Sequence, residues 1–340
     1  MDLDDLEGMA SLDPSGMLKE TAAFPYHIED ALRLGEKAPA LDGQPEMILF
    51  VGMGGSAIGG ELLQQLLIDS CPVPILVHRG YELPAWADET TLVVATSYSG
   101  NTAETISCFR QALQRDCLTL SMSSDGTLAR LSTDADCHVA IPQGMQPRAA
   151  LAYLMMPPLR LLERHGLAEL PDMEQVIEEI RTYGEQLALN IPSADNPAKQ
   201  LAVGIAGLPL IYGHGCLAAV ATRWRQQINE NAKMAAAAYA VPEANHNELM
   251  AWHDGQPQDA TCIFLRQPDE PDVIARRFDY MQETYQRHAH VVEVRAEGSR
   301  PLARLLSLVH LGDYVSVYLA LHRGVDPTPV SLIEELKRLL

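Results

Sequence analysis

The chain has 340 residues, 47% hydrophobic and 21% charged, with 25 Lys and Arg against 45 Asp and Glu for a formal net charge of −20. That length holds two domains of ordinary size, and the composition is that of a soluble globular protein. The acidic balance argues against a nucleic-acid backbone or an anionic membrane as partner. It leaves a small anionic substrate open, since local donors override a field screened over about 8–10 Å. The start, "MDLDDLEGMASLD", lacks the basic and apolar regions of a secretory signal. Apolar runs meet a charge or a proline before 18 residues, so no membrane span is expected. Six cysteines without a CxxC pair read as buried thiols of a cytoplasmic protein.

In chain order, residues 16–36 predict a helix interrupted near Pro25 and stopped by Gly35. "EMILFVGMGGSAIGGELLQQLLI" predicts a buried strand, a Gly-rich turn and a helix. "VPILVHR" and "TTLVVATS" are further strands, "NTAETISCFRQALQRD" a helix, and "CLTLSM" and "CHVAIP" two more strands. A helix broken at Pro157–Pro158 closes the first half, and "DMEQVIEEIRTYGEQLALN" reads as a helical connector. The pattern then restarts. "LPLIYGHGCLAAVATRWRQQINENAKMAA" is again strand, Gly-containing turn and helix, "ATCIFLR" and "HVVEVRA" are strands, and a long apolar helix ends at Gly324. Short apolar strands alternating with helices imply parallel sheets covered on both faces. The expected organisation is two doubly wound α/β domains, 1–166 and 196–340, joined by a connector at 167–195.

Two loops stand out. "GMGGSAIGG" follows a strand and opens a helix, where a dinucleotide fingerprint would sit. The next strand ends in His78 and Arg79 rather than an acid, which leaves an NADP reading weak. "SYSGNT" places Ser97, Ser99 and Thr102 between a strand and a helix, where free amides and the helix dipole favour an anion. One hydroxyl would suffice for an N-cap, and several suit a phosphate monoester. Gly54, Gly55 and Ser56 on the first loop and Ser97, Ser99 and Thr102 on the second are the candidate phosphate ligands. "HAH" (His288, His290) has no third ligand nearby, "WHDG" has no ligand spacing, and Gly54-Gly55-Ser56-Ala57 lacks a nucleophile-elbow spacing.

"GMGGSAIGGE", "SYSGNTAET", "PRAALAYL", "QINENAK", "NHNE" and "GDYVSVYLALHRGVDPTPV…LK" together resemble the bifunctional phosphoglucose/phosphomannose isomerases of the SIS-domain superfamily. The resemblance runs from about residue 50 to 337. It implies two SIS domains, a sugar-phosphate substrate, a homodimer, and no cofactor or metal. Read alone, Glu230 is a helix-face acid, His246 a loop histidine, Lys337 a surface lysine and Arg148 a cation misplaced at a helix start. The resemblance makes Glu230 the proton-transfer base and His246, lent by the neighbouring subunit, the ring-opening group together with Lys337. It makes Arg148 the stabiliser of enediolate charge, and it ties tolerance of both C2 epimers to a small residue, Thr328 or Val330. The competing expectation is a non-catalytic sugar-phosphate-binding regulator that keeps only the phosphate loops.

Overall fold

The computed structural model describes residues 1–253 and 259–339. Ala23–Ile177 form one compact unit, the amino-terminal unit. Met1–Ala22 with Glu178–Leu340 form the other, the carboxyl-terminal unit. Two short helices come first, α1 (Leu6–Leu12) and α2 (Met17–Ala22). They are followed by α3 (Phe24–Lys37), β1 (Met47–Val51), α4 (Gly55–Leu66), β2 (Ile75–His78), β3 (Thr91–Thr96) and α5 (Ala103–Gln114). Then come β4 (Leu118–Ser123), α6 (Gly126–Leu131), β5 (Cys137–Ala140) and α7 (Leu151–Arg164). The helix α8 (Met173–Leu187) crosses from one unit to the other.

The amino-terminal sheet is parallel throughout, in the order β2-β1-β3-β4-β5. Its central strands are apolar and buried on both faces, as a sheet covered by helices requires. Leu49, Val51, Val93, Ala95, Cys108, Phe109 and Leu128 form the core on one face. The order reverses between β1 and β3, and ligands of such sheets bind outside the carboxyl ends of the strands at that switch point.

In the carboxyl-terminal unit, α9 (Pro197–Gly204) precedes β6 (Leu208–His214), α10 (Cys216–Asn231), β7 (Ala237–Val241) and β8 (Ala260–Arg266). The chain continues through α11 (Asp272–Tyr285), β9 (His290–Arg295), α12 (Pro301–His322) and α13 (Ser331–Leu339). The sheet order is β7-β6-β8-β9, again parallel, with its switch point between β6 and β8. The helix α12 is long and apolar enough to cross a membrane, but 94% of its most apolar window is buried inside the protein. It is a core helix. Its Asp313 takes hydrogen bonds from Arg223 and Gln227 of α10, both at 2.7 Å.

Four expectations need correction. Residues 1–22 belong with the carboxyl-terminal unit, not with residues 23–166. Asp4 accepts from the Ser193 amide (2.8 Å) and from buried Lys199 (3.3 Å), and the Met1 amino group donates to the His322 carbonyl (2.6 Å). These partners lie far along the chain, so no local pattern announces them. The first predicted helix is two helices. Pro25 sits in the first turn of α3, where its missing N–H is not needed, and Gly35 lies inside that helix. A Cβ at Gly35 would stand 2.9 Å from Pro157 Cα, so the glycine permits close approach of α3 to α7.

The third correction concerns Pro157–Pro158, which do not break α7. A helical proline costs about 3 kcal/mol or more. Leu154, Met155, Met156, Leu159, Leu161 and Leu162 are all buried on this helix, at about 1.5–3 kcal/mol each, and they outweigh the cost. The fourth is β7, which the sequence reading missed. "AAYAV" is alanine-rich and has a helix former's propensity. Pairing with β6, from Leu210↔Ala237 to His214↔Val241, overrides it.

Candidate active site

The two loops singled out in the sequence flank the amino-terminal switch point. After β1, Gly54 takes a left-handed φ of 52° and serves as N-cap of α4, with no side-chain cap on the helix. After β3, Ser97 is fully buried and its hydroxyl meets Thr102 Oγ1 at 2.8 Å. Thr102 is the N-cap residue of α5, yet its side chain caps no amide there. Ser99 is exposed. The Tyr98 amide donates to Ser56 Oγ at 3.2 Å, and Thr96 Oγ1 donates to the Ser56 carbonyl at 2.6 Å, so the loops are tied to each other. The uncapped N-terminus of α5 and several neutral donors suit an anionic group, while in α4 the Ser56 and Ala57 amides donate to the Met53 and Gly54 carbonyls.

Arg148 joins this site through the backbone. It lies not at a helix start but in the turn before α7, which begins at Leu151, and it is 2% exposed. A Cβ at Gly55 would stand 3.3 Å from both Arg148 Cα and N, so a larger residue would push the turn back by a few tenths of an ångström. Tyr98 fixes the same segment: its hydroxyl donates to the Pro142 carbonyl (3.0 Å) and accepts from the Met145 amide (2.7 Å). Gly54, Gly55, Ser56, Ser97, Ser99, Thr102 and Arg148 thus come together within one unit. A cleft of about 550 Å³ opens beside them, lined by Ser99, Asn101, Ser124, Asp125, Arg130 and Gln143. Of the six phosphate candidates only Ser99 reaches it.

The other three candidates sit on separate elements of the carboxyl-terminal unit. Glu230 is half-buried on the last turn of α10, an end where the helix dipole disfavours an acid. Its neighbours hold that turn. Asn231 Nδ2 donates to Ser316 Oγ on α12 (2.9 Å), and Asn229 Nδ2 to the Met234 carbonyl (2.8 Å). Lys233, in the left-handed region at φ 51°, donates to the Glu230 carbonyl (2.6 Å) and to that of Pro327 (2.8 Å). His246 is exposed on a 3-10 turn, Glu243–His246. Lys337 is exposed on α13, whose residues Leu332 and Leu336 are exposed too. Among the described residues no group of three or more His, Cys, Asp or Glu converges as a metal site would. Asp254 and Gly255 of "WHDG" lie outside the described residues.

Sequence reasoning gives no role to Lys233, which holds the turn of Glu230, or to Tyr98, which holds residues 142 and 145. Lys233 lies inside the motif "QINENAK", where only Glu230 has an expected role.

Two parallel sheets of like topology, with paired loops at the switch point of the first, define a protein of two SIS domains. The SIS-domain family matches residues 44–163, and the bacterial phospho-glucose isomerase C-terminal SIS domain matches residues 194–340. A bifunctional phosphoglucose/phosphomannose isomerase of Caldicellulosiruptor bescii is 35% identical over 95% of this chain and 98% of that one. The enzyme of the same name from Aquifex aeolicus is 36% identical over 85% and 89% of the two chains. This chain belongs to the bifunctional phosphoglucose/phosphomannose isomerase family. A hypothetical protein of Thermus thermophilus shares the fold, with a TM-score of 0.73 over 98% of this chain and 93% of that one at 17% identity.

Proposed function

We infer that the chain is an aldose–ketose isomerase that interconverts glucose 6-phosphate and mannose 6-phosphate with fructose 6-phosphate through an enediol. The observation that carries the residue-level reading is the junction at Gly55, where the turn of buried Arg148 packs against the start of α4 and the Tyr98 hydroxyl ties residues 142 and 145 of the same segment to the hydroxyl loop. The phosphate is held by Gly54, Gly55, Ser56, Ser97, Ser99 and Thr102, whose donors add no charge and let the product leave. Glu230 moves the proton between C2 and C1. Arg148 stabilises the enediolate, a role worth a few kcal/mol in a dry site. His246, which can donate and accept, opens the sugar ring with Lys337.

Glucose and mannose 6-phosphates differ only at C2, so deprotonation there gives one enediol. Room for the C1–C2 end to turn, set at Thr328 or Val330, admits both. The chemistry needs no metal or redox cofactor. A regulator would need the phosphate loops but neither Glu230 nor Arg148, so their presence supports the enzyme.

The exposed His246 suits delivery to a neighbouring subunit, and a closed two-fold dimer is the commonest soluble assembly. The six free cysteines suit the cytoplasm, where this step would serve glycolysis and gluconeogenesis. Burial pushes the Cys108, Cys117 and Cys137 thiols up to about 11, which keeps them inert.

A coupled assay for fructose 6-phosphate from each aldose phosphate tests the activity, and production from neither would overturn it. The shared site is tested by mixing Glu230→Gln and His246→Ala chains, each strongly impaired alone. Random exchange makes about half the dimers heterodimers with one intact site each, so about a quarter of wild-type activity should return. Proven exchange without recovery would place His246 within its own subunit.

A further inference from the structure

We propose that Glu248 is the positioning residue for His246, locking the turn that presents it. The proposal rests on the reading of His246 as the ring-opening group. Glu248 lies two residues after it and is half-buried with its carboxylate turned inward. Oε1 accepts from the Tyr212 hydroxyl of β6 and from Trp252 Nε1, both at 2.7 Å. Oε2 accepts from the Tyr285 hydroxyl of α11 at 2.6 Å. One side chain thus pins the turn to a central strand, to a helix and to the segment that follows it.

The donors are rigid and cannot be diverted. Tyr212 and Tyr285 are fully buried, and Trp252 stacks on Tyr285 with ring centroids 4.2 Å apart. Burial first, then the neighbouring carboxylate, pushes both tyrosine hydroxyls far up, so they stay protonated and donate at every working pH. Hydrogen bonds to an ionised acceptor are about twice as strong as neutral ones. The other end of the turn is fixed as well. The Val241 carbonyl meets His214 Nδ1 at 2.9 Å, Ala244 is buried, and Asn245 Oδ1 accepts from Arg277 at 3.3 Å. Asn247 Oδ1 accepts from the Glu248 amide at 2.6 Å.

Between these anchors His246 projects into solvent beside Asn247. A turn serving only as a connection would not need anchors on both sides of one exposed imidazole. A catalytic group must be held within about 0.5 Å of its productive place, and an ångström of misplacement costs about 10²-fold. The carboxylate acts through shape and hydrogen bonding and need not touch substrate.

A double-mutant cycle on kcat for fructose 6-phosphate formation tests this. Glu248→Leu, which loses all three bonds, should lower kcat at least tenfold, with inhibition by open-chain 6-phosphogluconate unchanged. Glu248→Gln keeps a carbonyl for Tyr212 and Trp252 and loses only the bond from Tyr285, whose hydroxyl oxygen can instead accept from the new amide, so it should stay within about fivefold of wild type. In the His246→Ala background, where rings open only in solution, Glu248→Leu should cost nothing further.

Equal losses in both backgrounds would overturn the proposal while leaving His246 its role. Full activity of His246→Ala would overturn that role and the proposal together. If Glu248→Leu does not fold, Tyr212→Phe and Tyr285→Phe each remove one donor and keep the ring. Each should lower kcat only when His246 is present, and a loss independent of His246 would again overturn the proposal.

Discussion

Ser97 and Thr102 share a hydroxyl–hydroxyl hydrogen bond of 2.8 Å, and Thr102, at the N-cap of α5, leaves the helix's amides uncapped. A helix that needed only a cap would have used that hydroxyl. Replacing Ser97, Ser99 and Thr102 together by alanine should therefore weaken 6-phosphogluconate binding. Each lost neutral bond contributes about 0.5–1.5 kcal/mol, so calorimetry should show a drop of roughly ten- to a thousandfold. Unchanged affinity would reduce the loop to a packing device.

Gly55 and Arg148 make a second prediction. Any Cβ at position 55 presses on the Arg148 backbone at 3.3 Å. Gly55→Val should displace the guanidinium and lower kcat by about 10–100-fold. Circular dichroism should show the fold intact.

The pairing of Arg223 with Asp313 joins α10, which carries Glu230, to α12, and both side chains are buried. Asp313→Ala strands a buried guanidinium and should cost about 3–5 kcal/mol in urea unfolding. A double replacement, Arg223→Met with Asp313→Leu, should recover most of that loss, because apolar side chains of similar size carry no desolvation penalty.

His310 sets a pH dependence of stability. It is wholly buried on α12 against Tyr314, with ring centroids 5.0 Å apart, and burial lowers its pKa from 6.5 to about 3. Below pH 6.5 the unfolded chain binds a proton here that the folded chain does not, so stability falls as pH drops from about 6.5 toward 3. The loss is on the order of a few kcal/mol across that window. Melting temperatures of wild type and His310→Leu, measured from about pH 7.5 to 4.5, should diverge in slope, with the variant the less sensitive.

The sheets were legible because β1 and β3 are continuous apolar runs buried on both faces, each followed by a glycine-bearing turn. The hydroxyl-rich loop between β3 and α5 was legible because five hydroxyls cannot all be caps. The strand β7 and the unbroken α7 were not, since in both places packing outweighs what alanine and proline prefer locally. Asp4's attachment to Ser193 and Lys199 spans about half the chain, so no window of sequence contains it. The contacts of Glu248 and Lys233 were hidden for a similar reason. A half-buried acid with three aromatic donors looks, in sequence, like any other acid beside a histidine.

The central claim is that Glu230 moves a proton between C2 and C1 of an enediol. It is tested most directly by following the label of glucose 6-phosphate deuterated at C2 as it is converted to fructose 6-phosphate in ordinary water. A single carboxylate base that exchanges with solvent should release part of the deuterium and deliver the rest to C1. Glu230→Gln should lose conversion and exchange together, by about 10²–10⁴-fold. Complete retention of the label at C1, or normal turnover by Glu230→Gln, would contradict the account.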